Sequence, residues 1–235
     1  MKTINDLLKL VDDIYSVSDN RLYDLDDMFY YHLKWLLRFT EARKKGRKEK
    51  LCEDLIIAIA WYLSIINRFN IDLKKNLLSR YSFKCPFCLD IPCSCEETEH
   101  RTAKKTGRPV SGKPENISDW QKMVGKIYPD EYEFKSLEIL HHQDIFYQTF
   151  RKFRKSSAQR NFHQVEIASA DYFVELLKLC NSLNIDLEKD FFKLFSVGCF
   201  ICHKTPCECF YSEWFNKLDP KKRLLFAGVF LHHLS

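Results

Sequence analysis

Eight of the ten cysteines in this 235-residue chain stand in two clusters of identical spacing, Cys85-x2-Cys88-x4-Cys93-x-Cys95 and Cys199-x2-Cys202-x4-Cys207-x-Cys209. A C-x2-C pair lets two thiolates from one tight turn reach a single tetrahedral ion, and two further cysteines close a four-sulfur shell. Closed shells serve structure, whereas a catalytic zinc keeps one position for water. Disulfides and an iron-sulfur cluster compete with this reading. Two structural zinc ions are the expectation, because a short loop without a core of its own can anchor itself on metal. His203 stands inside the second cluster, but Leu89 holds that place in the first, so His203 reads as a surface residue. Cys52 and Cys180 lie in apolar stretches and read as small buried hydrophobes.

The clusters end the two copies of an internal repeat. A shift of 114 residues lays Leu63 to Cys95 on Leu177 to Cys209 without a gap and matches 13 of 33 positions, including Asn-Ile-Asp-Leu at 70–73 and 184–187. A shift of 113 lays Ile4 to Tyr15 on Ile117 to Tyr128 with six identities in twelve. The expected organisation is a first module over 1–95, a basic linker over 96–116, a second module over 117–209 and a helical extension over 210–235. The linker segment holds Gly107, Pro109, Gly112 and Pro114 with almost no apolar residues, as a solvated tether does.

Within each copy apolar residues recur at three- and four-residue intervals, as in LLKLVDDIY, YYHLKWLLRF and LIIAIAWYLSIINRF, and glycine and proline are scarce. An all-α fold follows. The last of these segments is apolar nearly all round, contains Arg68 and is too short to span a bilayer, so it reads as the centre of a helix bundle. The acidic N-terminus does not read as a secretory signal, and a cytoplasmic protein without a membrane partner is expected. A net charge of +5 permits a nucleic-acid partner without requiring one.

Trp120-Gln121, Ile127-Tyr128, the repeated Asn-Ile-Asp-Leu and the two C-x2-C-x4-P-C-x-C segments together resemble the MazG-like all-α nucleotide pyrophosphohydrolases, especially small members that end in a cysteine cluster. The resemblance covers most of both copies and implies two helical modules packed as an intramolecular pseudo-dimer. It also implies a Glu-x-x-Glu pair on one helix and Glu-x-x-Asp on the next, holding magnesium over a nucleoside triphosphate. Acids three apart share a helix face, and two such faces opposed supply the oxygen ligands that magnesium takes.

Here the acid set is thinned. In register with Asn-Ile-Asp-Leu, the first copy offers Arg38-x-x-Glu41 and Asp54-x-x-Ile57, and the second offers Ala168-x-x-Asp171 with no acidic pair upstream. Glu41, Asp54 and Asp171 are the candidate magnesium ligands. A register slip of one turn would bring in Asp24, Asp27, Glu53, Asp144, Glu166 or Glu175. Capping, the helix dipole and simple solvation are competing explanations for every one of them. The leading expectation is a non-catalytic module that binds a nucleotide or another protein. The alternatives are an active pyrophosphohydrolase with one site built from both copies, and a nucleic-acid adaptor using the linker and the basic stretches Arg43 to Lys50 and Arg151 to Lys155.

Overall fold

Five helix starts in this chain are set by short polar side chains. Thr3 and Asp24 each accept the N–H of the residue three on, Asp6 or Asp27, whose carboxylate bonds back to the cap N–H. These capping boxes open α1 (Ile4–Leu22) and α2 (Leu25–Lys44); α3 (Lys48–Arg68) and α4 (Leu73–Arg80) complete the first set. The second set repeats the order as α5 (Ile117–Ile127), α6 (Ser136–Lys155), α7 (Phe162–Ser182) and α8 (Leu187–Leu194). The structure, a computed structural model, describes residues 1–81, 83–95, 113–129, 136–155 and 162–209, and among them every regular element is an α-helix. Residues 96–112 of the expected linker and the whole expected extension over 210–235 lie outside the described residues.

The repeated Asn-Ile-Asp-Leu is a corner. Asn70 and Asn184 take left-handed backbone at φ 51° and 53°, a conformation that suits asparagine better than most L-residues. Ile71 and Ile185 then return their N–H groups to the carbonyls of Ile66 and Cys180, closing the preceding helices. Asp72 and Asp186 cap the next helix by accepting from Lys75 and Lys189. Asn67 and Asn181, the other identities here, donate to the carbonyls of Leu8 and Gln121, tying α3 to α1 and α7 to α5. One motif therefore ends a helix, turns the chain and starts the next, twice.

α3 is longer than the apolar segment that marks it, but it is the buried centre expected: Leu55 to Ala60 and Tyr62 to Ile66 are enclosed by α1, α2 and α8. No single helix among the described residues is long and apolar enough to cross a membrane. The two sets meet crosswise, with α4 on α7, α8 on α3 and α2 against α6. Aromatic rings fill the middle: Tyr62 stacks on Phe173 at 5.8 Å, Phe146 stacks on Tyr172 at 4.9 Å, and Phe29 packs against Phe146 and Phe150. Ring pairs of this kind add about 0.5–1.5 kcal/mol each beyond the area they bury.

Their polar tips are matched. The Tyr62 hydroxyl donates to the Ser169 carbonyl at 2.9 Å. His32, fully enclosed, lies 2.8 Å from the Ala58 carbonyl through Nδ1 and 2.6 Å from the Tyr172 hydroxyl through Nε2. A carbonyl only accepts, so Nδ1 carries the proton and Nε2 accepts from Tyr172. Burial holds the imidazole down to about 4, only partly offset by the Ala58 carbonyl. The unfolded chain therefore binds a proton that the folded chain refuses between pH 6.5 and 4, and stability falls as pH drops through that window. Asp19 acts oppositely: burial lifts its carboxyl to about 6, so its stabilising protonated form is lost as pH rises through 6.

In urea unfolding at pH 4.5 and 6.5, His32→Gln is expected to lose less stability on acidification than the parent, by roughly 2–3 kcal/mol. Equal losses in the two proteins would contradict a buried neutral imidazole.

Candidate metal centres and an adjoining cavity

Each cysteine cluster is a loop held by its own backbone. Leu89 and His203 return N–H groups to the carbonyls of Cys85 and Cys199, and both take left-handed φ values of 71° and 55°. In the second loop Gly198 also sits at φ 104°, where a Cβ would fall 2.6 Å from the Lys204 carbonyl oxygen, so only glycine fits. The four sulfurs of each cluster lie within 4.8 Å of one another. All eight are free thiols; Cys85 and Cys95 are 3.4 Å apart, Cys88 and Cys93 3.8 Å, Cys199 and Cys209 3.6 Å, and Cys202 and Cys207 3.9 Å. A tetrahedral ion with metal–sulfur bonds of about 2.3 Å has sulfur–sulfur edges of roughly 3.8 Å. In the second loop the N–H groups of Ile201 and Glu208 also point at the sulfurs of Cys199 and Cys202, which supports thiolates there. Both groups could hold a metal ion, and among the described residues no other cluster of cysteine, histidine or acid could. His203 is exposed, as its absence from the first loop implied.

The surroundings of the loops were not foreseen. Each loop is seated on the other set's first helix: the Cys93 N–H bonds the Ile127 carbonyl and the Cys207 N–H bonds the Ile14 carbonyl, both at 2.7 Å. Beside these carbonyls stand Tyr128, whose hydroxyl donates to Cys85 at 3.6 Å, and Tyr15, whose enclosed hydroxyl lies against Cys199. The signal was the aligned block itself, since it closes on Ile-Tyr in both copies. Spacing alone could not say that the shared pair serves the opposite loop.

The candidate acids come to rest in three cation-paired places. Glu41 is exposed and pairs with Lys45 one turn on, whose charge holds its carboxyl below the usual range. Asp54 is buried, which pushes its carboxyl up, while Lys50 at 3.1 Å and Arg38 at 3.6 Å pull against that shift. Asp171 accepts from Arg80 Nη2 at 2.6 Å and from the Tyr81 hydroxyl at 2.7 Å. The substitutes are also engaged: Asp24 and Asp27 in the cap of α2, Glu53 with Lys50, Asp144 with Gln148, Glu166 with His163, and Glu175 with Lys178 and His142. No three carboxylates converge among the described residues.

Arg38 and Ile57, the positions where the acid pairs break, face a cavity of about 290 Å³ beside the second cysteine loop. Its wall is aromatic. Tyr31 stacks on Trp61 at 4.9 Å, Tyr23 packs edge-on to both, and Trp35 meets Phe200 of the loop at 5.9 Å. Cations stand over these rings, with Arg38 4.4 Å from the Trp35 ring centre and Lys34 5.3 Å from that of Tyr31. Burial, and then the Arg38 charge one turn on, hold the Lys34 ammonium below its ordinary range, a repulsion that an anion would relieve. Asp19 adds a carboxyl to the lining. The arrangement can take a flat ring against its wall and an anionic group at its rim.

At the equivalent positions on the other side the described side chains are charged and paired. At the shift of 114, Ile57, Trp61 and Ser64 become Asp171, Glu175 and Lys178. Asp171 binds Arg80 and Tyr81, Glu175 binds Lys178, and the Lys178 ammonium covers the Tyr128 ring at 4.8 Å. Charged pairs thus stand at the positions where Ile57, Trp61 and Ser64 line the cavity.

Compared with known protein families, with curated proteins and with solved structures, the chain matches none.

Asp171→Ala strands Arg80, whose side chain is 14% exposed, and is expected to cost about 1–3 kcal/mol in urea unfolding, whereas Glu41→Ala leaves the midpoint in place. Elemental analysis of protein kept from chelators is expected to return two metal ions per chain with no acid-labile sulfide. Fewer than two ions would contradict paired tetrathiolate sites.

Proposed function

We propose that this chain is a zinc-braced, MazG-like pseudo-dimer that binds a nucleotide without hydrolysing it. Zinc is the ion that best suits four thiolates in a closed tetrahedron, and it asks for no redox partner. The MazG-like reading rests on the repeated helices, the Asn-Ile-Asp-Leu corners and the cysteine tails. The observation that carries the non-catalytic reading is the ion pair between Arg38 and Asp54 in the register where the family's magnesium ligands would stand. A guanidinium there repels the cation that the chemistry needs, and Ile57 supplies no oxygen in its place.

Nucleotide binding is supported by the cavity in that same register. The stacked Tyr31 and Trp61 and the ring of Trp35 suit a base, while Lys34 and Arg38 suit a phosphate. An aromatic wall with two cations binds such a ligand through stacking and charge, and both survive loss of the magnesium ligands.

With mixed NTPs and dNTPs plus magnesium, pyrophosphate release is expected to stay at the buffer rate, while dATP quenches tryptophan emission saturably. Arg38→Glu is expected to weaken that binding at least tenfold. Turnover abolished by Asp54→Ala or Asp171→Ala would overturn the non-catalytic reading. Binding to DNA or RNA that falls steeply with salt, without nucleotide binding, would favour the adaptor instead.

A further inference from the structure

We infer that the two metal sites differ in role: metal at Cys199, Cys202, Cys207 and Cys209 forms and holds one wall of the open cavity, making ligand access metal-dependent, whereas metal at Cys85, Cys88, Cys93 and Cys95 only latches the fold. The inference deepens the binding proposal above and rests on it for the ligand's identity, but not for the behaviour of the wall.

Three of the four second-site cysteines, Cys199, Cys207 and Cys209, line the cavity together with Phe200 and Ile201 from the same loop. Phe200 reaches out of the loop to meet Trp35 edge-on at 5.9 Å and Phe195 at 6.3 Å. Tyr15 packs on Phe195 at 6.1 Å, with its hydroxyl enclosed beside Cys199. The loop's share of this wall, Phe200 and Ile201, therefore stands on backbone without regular secondary structure. Within the loop, backbone bonds between Cys199 and both His203 and Lys204 close the turn, and four thiolates sharing one ion tie Cys207 and Cys209 to it.

Four thiols without metal have no reason to stay within 4.8 Å of one another, and thiolates would repel. Loss of the ion then loosens Phe200 and Ile201, leaving the turn's own backbone bonds and the Cys207 bond to Ile14, which ties the loop to α1. At the first site the loop's surroundings are tied in another way. There Asp171, Arg80 and Tyr81 bridge α4 and α7 independently of the thiols, and the loop places Pro86 and Phe87 where the second has Phe200 and Ile201. Arg80 lies 5.5 Å over the Phe87 ring, so that wall is pinned by a charged network that does not need the ion.

The test compares Cys202→Ser with its counterpart Cys88→Ser in the full chain; neither residue is in the cavity lining, and both are half-buried. Metal content, acrylamide quenching of tryptophan emission and dATP affinity are measured on each. Both variants are expected to bind one ion fewer. Cys202→Ser is expected to raise the quenching constant about twofold, in a component lost in Trp35→Phe, and to weaken dATP at least tenfold; Cys88→Ser leaves both within a factor of two. Equal effects in the two variants, or an unchanged quenching constant in Cys202→Ser, would overturn the inference. If Cys202→Ser does not fold, Phe200→Ala decides: with both metals retained it is expected to reproduce the raised quenching, and an unchanged value there contradicts the proposed wall. Failure of dATP to bind even the parent protein, with the quenching contrast intact, would refute the nucleotide reading and leave the metal-dependent wall standing.

Discussion

Two backbone hydrogen bonds carry the architecture: the cysteine loop that ends each repeat docks on the first helix of the other. At Ile127 the carbonyl belongs to the last turn of α5, where helix geometry leaves acceptors unmatched, and the Cys93 N–H supplies one of the missing donors. At Ile14 the carbonyl lies inside α1 and takes the Cys207 N–H on its second lone pair. The exchange means that neither repeat finishes its own end. A tyrosine follows each of these carbonyls, so a phenol stands against the opposite cysteine sulfurs in both places, and candidate metal site, loop and neighbouring helix form one unit. The aromatic layer around Tyr62 and Phe146 and the buried His32 then fill an interface whose ends are already fixed.

Duplication inside one chain lets the two sides of such a frame diverge. A change made in one copy appears once, not twice, so one side can close without closing the other. At the positions of Ile57, Trp61 and Ser64 the second copy carries charge, and Asp171 with Arg80 turns what is a cavity on one side into a cross-repeat ion pair on the other. A carboxylate that is a candidate metal ligand in the sequence is thereby recruited to hold α7 to α4. Asp54 follows the same course with Arg38 and Lys50. The cations beside both acids are lysine and arginine.

Much of the scaffold was legible in the sequence because its signals are local. Asn70 and Asp72 act on neighbouring backbone, and the four cysteines of a cluster lie within eleven residues, so spacing alone states their geometry. The all-helical fold followed from periodicity, and the central position of α3 from its nearly uniform apolarity. What escaped depends on partners far away in the chain. Arg80 and Asp171 are 91 residues apart, and His32 and Tyr172 are 140 apart. Trp35, Trp61 and Phe200, which line one cavity, come from α2, α3 and the opposite loop, with no spacing rule to join them. Helical periodicity marks such aromatics only as core, since a ring facing a cavity and a ring facing a core recur at the same interval.

The central claim is that one frame, braced twice, keeps one nucleotide site open beside the second cysteine loop. Isothermal titration of dATP into fully metallated protein of known metal content measures this most directly. The account predicts two metal ions and one nucleotide per chain; two nucleotides per chain, or one bound undiminished after Trp35 and Arg38 are both replaced by alanine, would contradict it.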